Sequence, residues 1–406
     1  MKRSYLKLLK YFVIKEPKTP FQLIHFVTSR CNAKCKHCFF WSKLNAQDEL
    51  SLEEIDKLSK TLPDLVILNI SGGEPFIRQD FAEIIKIYYQ NTSVKTVAIP
   101  TNGLLTEKIK KDCLNILENC PGLELNLVLS LDGPEEIHDE IRQVKNCFKL
   151  AIKTFHELKE LQKNYSQLQL SIISTLTSLN QEKLGELHDY VNAQLKPDVF
   201  GLNLIRGEAR KMDLFGVDLN HYQKFFSLQS QSRKKGVKSY FRDYLNKLRT
   251  GAIITTVENK KFILPCKAGT LMAVMYENGD IYPCELLNKQ LIGNIKDYDY
   301  DFKKLWSSEK AKNAYKLINN TKCYCTHECF LRFNLLYNPK FVAKHFFKNL
   351  FGRSEITNSL KSKGCGKNSC ESLVNIGRIR GVRCKQEPEE QQGEQKKNIK
   401  IEKPQE

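Results

Sequence analysis

Short apolar runs alternate with longer stretches whose apolar residues recur at helical spacing. Strand-like runs fall at 21–28, 65–70, 94–100, 123–131, 168–176 and 199–205, each rich in Val, Ile, Leu or Phe. Between them, segments such as 52–62 and 81–89 space their apolar residues as an amphipathic helix does. Strands of this kind, apolar at successive positions and separated by helices, predict a parallel sheet buried on both faces. Six strand and helix units are too few for an eight-stranded barrel, so they predict an open doubly wound sheet or an incomplete barrel, and both place chemistry at the carboxyl ends of the strands.

The repeat stops after Arg206. Residues 211–250 read as basic helical connecting material, and 253–333 as a second unit of short strands, turns and cysteines. Segments 5–14 and 334–351 interleave aromatic and aliphatic residues with Lys, a pattern that suits packing on the fold or lying on a membrane surface. Residues 385–406 are Gln, Glu and Lys with almost no apolar residue, which predicts a disordered tail.

Composition sharpens this picture in three ways. With 406 residues and 41% hydrophobic content, the chain has material for roughly two to three domain-sized units, which excludes wholesale disorder. No apolar run reaches the roughly 18 residues of a membrane span, and 1–14 lacks the form of a signal peptide, so a cytoplasmic location is expected. Lys and Arg exceed Asp and Glu by 64 to 46, a net charge of +18 that favours anionic partners without choosing among them. Fourteen cysteines in a reducing compartment point to metal binding or catalysis rather than to disulfides.

Three of these cysteines, Cys31, Cys35 and Cys38, follow directly on the first strand. A zinc site wants a fourth nearby ligand, and His37 sits between two of the thiols where closure is strained. Three thiolates on a short loop also suit three irons of a cubane cluster, leaving the fourth iron open to another ligand. The second strand ends in Ser71-Gly72-Gly73-Glu74-Pro75, and a bare glycine pair there marks a close approach of backbone to a ligand or merely a tight turn. Pro100-Thr101-Asn102-Gly103 and Ser130-Leu131-Asp132-Gly133-Pro134 end the third and fourth strands, as polar pocket linings or as ordinary turn formers.

Taken together, these segments resemble the radical S-adenosylmethionine family, whose cluster motif is Cys-x3-Cys-x-aromatic-Cys after the first strand; here His37 takes the aromatic position. The resemblance implies an α/β fold with an incomplete (β/α)6 barrel and a [4Fe-4S] cluster on Cys31, Cys35 and Cys38, chelated by S-adenosylmethionine. It carries over Gly72, Gly73, Glu74, Pro75, Asn102, Ser130, Asp132 and Arg142 as cofactor-binding residues, Arg142 toward the methionine carboxylate. The implied chemistry is reductive cleavage to a 5′-deoxyadenosyl radical that abstracts hydrogen from substrate, fed by an external one-electron donor such as flavodoxin or ferredoxin.

In the second unit, Cys266 and Cys284 flank an Asn278-Gly279-Asp280 hairpin turn, and Cys323, Cys325 and Cys329 follow a helical stretch. Spacing alone leaves zinc and iron-sulfur even. The run from Cys266 through Cys284, Ile292-Gly293-Asn294-Ile295 and Leu305-Trp306 is similar to the SPASM or twitch extension of the same family, which holds auxiliary [4Fe-4S] clusters. The centre Cys323-x-Cys325-x3-Cys329 departs from the full SPASM pattern, so one auxiliary cluster is expected on Cys266 and Cys284 with two of the other three, Cys325 and Cys329 preferred for their four-residue step. Cys365, Cys370 and Cys384 read equally as further ligands or free thiols, and Cys113, Cys120 and Cys147 as core residues.

The expected division is an N-terminal segment 1–20, a barrel 21–210, a connector 211–252, an auxiliary domain 253–333, a basic extension 334–384 and the tail. The roughly twenty residues ahead of the first strand predict no self-contained leader-binding domain. Expected substrates are a peptide or protein, or a lipid or carrier-bound small molecule, with peripheral contact at the inner membrane surface as an accompanying expectation. The alternative is a non-enzymatic, zinc-stapled nucleic-acid-binding protein; the glycine pair and polar strand ends argue against it, and no specific nucleic acid is expected.

Overall fold

The computed structural model describes residues 19–46, 48–231, 237–260 and 263–350. The expectations for 5–14, for the tail 385–406 and for Cys365, Cys370 and Cys384 lie outside these residues.

Six parallel strands stand in chain order, each predicted to within two residues at either end: β1 Gln22–Phe26, β2 Ile67–Ser71, β3 Thr96–Thr101, β4 Glu124–Ser130, β5 Leu168–Leu176 and β6 Val199–Leu204. The helices between them are α1 Leu52–Ser59, α2 Phe81–Asn91, α3 Thr106–Asn119, α4 Glu135–Arg142, α5 Cys147–Gln162 and α6 Leu184–Tyr190. Ser51 starts α1 with a capping box: its hydroxyl accepts from Glu54 N–H while the Glu54 carboxylate accepts from Ser51 N–H.

β1 is buried at every position, as two covered faces require, but β2, β3 and β4 are not. Along β2, β3 and β4 fully buried and half-buried positions alternate. Leu68, Ile70, Val97, Ile99, Leu125, Leu127 and Leu129 pack with Ile84, Ile85, Ile109 and Ile116 of the helices in one core. Asn69, Ser71, Asn126 and Ser130 fall on the opposite face, which no helix layer covers. That corrects the expectation of two covered faces, and the polar residues in these strands are the physical reason for it.

A seventh parallel strand, β7 Met272–Met275, pairs with β1 along Gln22–His25. It continues through the antiparallel strands β8 Asp280–Tyr282 and β9 Gly293–Asn294, giving one nine-stranded sheet in the order β6-β5-β4-β3-β2-β1-β7-β8-β9. Asn278-Gly279 makes the expected turn between β7 and β8, with Gly279 at φ +92°. The second unit is thus built onto the free edge of β1, next to the cysteine triplet. The connector folds as helices α7 Leu219–Gln231 and α8 Val237–Asn259.

Beyond the sheet lie α9 Phe302–Trp306, α10 Glu309–Asn320, α11 Glu328–Leu336 and α12 Pro339–Leu350. Leu335 is buried, Phe341 and Val342 pack against the main core, and the Tyr244 hydroxyl donates to Val342 O at 3.0 Å, so this part of the basic extension packs on the fold. Cys113, Cys120 and Cys147 are fully buried, as expected of core residues. No described helix is long and apolar enough to cross a membrane.

Candidate active site

The loop carrying Cys31, Cys35 and Cys38 is held from both sides by backbone hydrogen bonds. The end of α4 accepts from it: Lys34 N–H reaches Arg142 O at 3.3 Å and Lys36 N–H reaches Ile141 O at 2.9 Å. The segment after β6 closes the other side, with Arg210 N–H on Cys38 O at 3.1 Å and Lys211 N–H on Lys36 O at 2.9 Å. All three thiols are half-buried. Burial, with the neighbouring thiols adding to it, pushes Cys31 up to about 12 and Cys38 up to about 11, so both are protonated at neutral pH unless a metal's charge favours the thiolate. His37 is neutral: burial lowers it to about 4, and its Nδ1 is buried without a hydrogen-bond partner.

The glycine pair packs directly on this loop. Gly72 has φ +130°, and a Cβ there would sit 2.2 Å from Thr28 O; one on Gly73 would sit 2.0 Å from Arg30 O. Only the bare backbone lets Gly73 N–H bond Thr28 O at 2.9 Å and Glu74 N–H bond Arg30 O at 2.8 Å. Glu74 is buried and straps the ends of β2 and β3 together, accepting from Thr101 Oγ1 at 2.9 Å, Asn102 N–H at 2.8 Å and Phe76 N–H at 3.4 Å. Burial outweighs these donors and raises it to about 7. Pro75 begins the short helical turn that follows. Asn102 donates to Asn32 Oδ1 at 2.7 Å, tying the third strand's mouth to the cysteine loop.

Ser130 lies half-buried at the end of β4. Two residues on, Asp132 is buried and fixed from four directions. Its Oδ2 accepts from Arg142 Nε at 2.7 Å and lies 2.7 Å from the same residue's Nη2, while its Oδ1 accepts from Thr175 N–H at 2.9 Å. Its own N–H donates to His138 Nδ1 at 3.0 Å, and its carbonyl accepts from Asn180 Nδ2 at 2.7 Å. Burial opposes the charge on Asp132, but the Arg142 guanidinium more than offsets it and holds the carboxyl below its ordinary value. The remaining arm of that guanidinium, Nη1, points at Cys35 Sγ across 3.7 Å.

Cys266, Cys284, Cys323 and Cys325 line one cavity together with Phe39 and Phe40, the two residues following Cys38, and with Arg206 at the end of β6. Cys329 does not line it and is exposed. Burial raises Cys266, Cys284 and Cys325, the last to about 12. In the cavity wall Arg206 bridges two buried carboxylates, Glu285 at 3.1 Å and Glu328 at 3.0 Å, and Glu285 also meets His327 at 2.7 Å. Burial pushes Glu285 up, but His327 and Arg206 overcome it and bring it down to about 2. Among the described residues no three donors converge closely enough to hold a metal ion as they stand.

Sequence reasoning placed the cysteines, glycines, Asp132 and Arg142 on one rim. It missed Asn32, His138, Asn180 and the segment 206–211. Asn32 stands at a variable position of the cysteine motif and His138 in the segment after the fourth strand, neither marked by its type as a site residue, and Asn180 and 206–211 reach the rim only through long-range contacts.

Residues 26–191 match the Radical SAM superfamily. That stretch is a radical SAM domain. It is 27% identical over 301 residues to the antilisterial bacteriocin subtilosin biosynthesis protein AlbA of Bacillus subtilis, covering 70% of this chain and 61% of AlbA. It is 25% identical over 335 residues to the cysteine-type anaerobic sulfatase-maturating enzyme of Clostridium perfringens, covering 74% of this chain and 84% of the relative. Against Fe-coproporphyrin III synthase of Methanosarcina barkeri the match spans 45% of the relative, so with AlbA the chain covers less than two thirds of these proteins' lengths.

Two solved structures share the fold of this radical SAM protein. SuiB of Streptococcus suis, bound to S-adenosylmethionine, superposes with a TM-score of 0.54 at 18% identity, over 77% of this chain and 71% of SuiB. The sulfatase-maturating enzyme anSMEcpe with bound AdoMet gives 0.53 at 21%, over 84% of this chain and 99% of that one. Both matches reach past the residues 26–191 of the superfamily match.

Proposed function

We propose that the protein is a radical S-adenosylmethionine enzyme of the maturase type, acting on a peptide or protein. The observation that carries this is the contact of Gly72 and Gly73 with Thr28 and Arg30: it seats a bare, strand-end backbone beside a loop of three soft thiols. That donor set suits a [4Fe-4S] cluster with one open iron, and the glycine pair, packed against the Thr28 and Arg30 carbonyls, fixes the end of β2 beside it. Cys31, Cys35 and Cys38 would hold the cluster, with Gly72, Gly73 and Ser130 at the S-adenosylmethionine site. When bound and reduced, the pair supplies the 5′-deoxyadenosyl radical that abstracts hydrogen from a substrate carbon.

The chain's own part is positioning and exclusion of water. Glu74 and Asn102 lock the mouths of β2 and β3 against the cysteine loop. Asp132 fixes the Arg142 guanidinium beside Cys35. Phe39 and Phe40 wall the space between the triplet and the cavity of the second cysteine set, where Cys266, Cys284, Cys323 and Cys325 suit one auxiliary [4Fe-4S] cluster. An external one-electron donor of the flavodoxin or ferredoxin class would serve both.

A peptide substrate is favoured by the names of the similar proteins: subtilosin biosynthesis for AlbA, a structure of SuiB bound to precursor peptide SuiA, and one of anSMEcpe with Cp18Cys peptide. Anaerobic reconstitution, reduction and assay of 5′-deoxyadenosine test the reading. The native protein should form the nucleoside, and a variant with Cys31, Cys35 and Cys38 changed to Ala should form none; stoichiometric zinc with neither iron nor nucleoside would overturn it. The membrane expectation is tested by sedimentation with acidic vesicles at low salt, where absence of binding would remove it.

A further inference from the structure

We propose that Arg142 sets the reduction potential of the cluster held by the triplet, acting on it through Cys35 as a positioned cation; this rests on the function proposed above. Three observations converge. Asp132 takes Nε and Nη2 of the guanidinium on one side, both at 2.7 Å. That grip leaves Nη1 aimed at Cys35 Sγ, 3.7 Å away, which is within the reach of an N–H···S hydrogen bond. The helix bearing Arg142 is itself bonded to the cysteine loop through Ile141 O and Arg142 O, so guanidinium and sulfur cannot drift apart independently.

The consequence is electrostatic. Reduction adds one electron from the external donor, and the added negative charge spreads over the irons and their sulfur ligands. A fixed cation and an N–H donor at one of those sulfurs stabilise the reduced form over the oxidised one, more strongly in a buried, low-dielectric site than in water. Asp132 matters because it orients the fork while screening part of its charge. Lys could carry the charge but not the two-sided geometry. Arg142 is thus assigned as a residue that tunes and positions, distinct from any contact it makes with the bound cofactor.

The test is an EPR-monitored redox titration of the reconstituted full chain without S-adenosylmethionine, following the signal that is absent when Cys31, Cys35 and Cys38 are all Ala. In Arg142→Met with native iron content, the reduced-to-oxidised ratio at a fixed potential near the native midpoint should fall about tenfold, a shift of about 59 mV to more negative values for one electron. Arg142→Lys should shift in the same direction by less. An unchanged midpoint in Arg142→Met overturns the proposal. If that variant takes up no iron, Arg142→Lys decides, and an unchanged midpoint there overturns it equally. Absence of any cluster in the native protein would instead contradict the proposed function.

Discussion

Two buried carboxylates, one beside each cysteine set, have opposite electrostatic fates. Glu74, at the rim of the parallel strands, is held only by hydroxyl and backbone donors, and burial lifts it to about 7. Glu285, in the wall of the second set's cavity, is equally buried, yet His327 and Arg206 bring it down to about 2. The rim by the triplet holds one buried ion pair, Asp132 with Arg142, while the pairs Arg30 with Glu49 and Lys36 with Glu140 on the loop are partly exposed. The second unit is stitched to the end of β6 by a network of full charges. In the first arrangement the buried guanidinium of Arg142 reaches a thiol of the cysteine loop, at Cys35. The second fastens a late segment of the chain to an early one.

The comparison can be broken most sharply by losing metal from one region. Cys325→Ala, at a cavity-lining position, should cost about four irons per chain, while Cys329→Ala should leave the iron content unchanged. Equal losses in the two variants would place Cys329 among the ligands.

Next in size is Arg206→Met, which leaves Glu328 buried without its counter-ion and Glu285 with His327 alone. We expect a loss of about 3–5 kcal/mol in unfolding free energy, measured by anaerobic denaturant titration. A loss below about 1 kcal/mol would show that the network fastens nothing.

The two carboxylates should then give pH dependences of opposite sign. Glu74 binds its proton more tightly in the folded chain than in the unfolded one, so its contribution is fully present below pH 4.5 and is lost as pH rises through about 7. Over that window the native protein should lose up to about 3 kcal/mol relative to Glu74→Gln. Glu285 acts in reverse: its contribution is present above pH 4.5 and is lost as pH falls toward about 2. Thermal melts of Glu74→Gln and Glu285→Gln from pH 2 to 8 check both, and parallel slopes would contradict the distinction.

Gly73→Ala should cost about 1–3 kcal/mol, because its Cβ would meet the Arg30 carbonyl and force the backbone to shift. The same change should weaken S-adenosylmethionine binding, measured by equilibrium dialysis. The smallest effect belongs to neither region: Lys57→Ala breaks an exposed pair with Glu53 on α1 and should leave the melting temperature unchanged.

Much of the triplet's region is legible in sequence because it is local. Each strand from β1 to β6 is rich in apolar residues, and Cys31, Gly72, Asn102 and Asp132 each follow within five residues of a strand end, where a parallel topology must bring them together. What stays hidden depends on distant pairing. Nothing in the four residues of β7 says that they lie parallel to β1, more than two hundred residues earlier. The clamp of 210–211 on the cysteine loop uses backbone atoms, which any side chain would supply. The four-residue step between Cys325 and Cys329 reads as one helical face, whereas α11 begins only at Glu328, so Cys325 precedes the helix and turns toward the cavity while Cys329 does not.

The partition of metal between the two regions is the most direct test of the account. Iron and acid-labile sulfide should be counted per chain after anaerobic reconstitution of three proteins: the native chain, the Cys31, Cys35 and Cys38 triple Ala variant, and the Cys266 and Cys284 double Ala variant. We predict about eight irons in the first and about four in each of the others, with both variants folded. About four irons in the native chain, retained in full by either variant, would contradict two independent cluster sites.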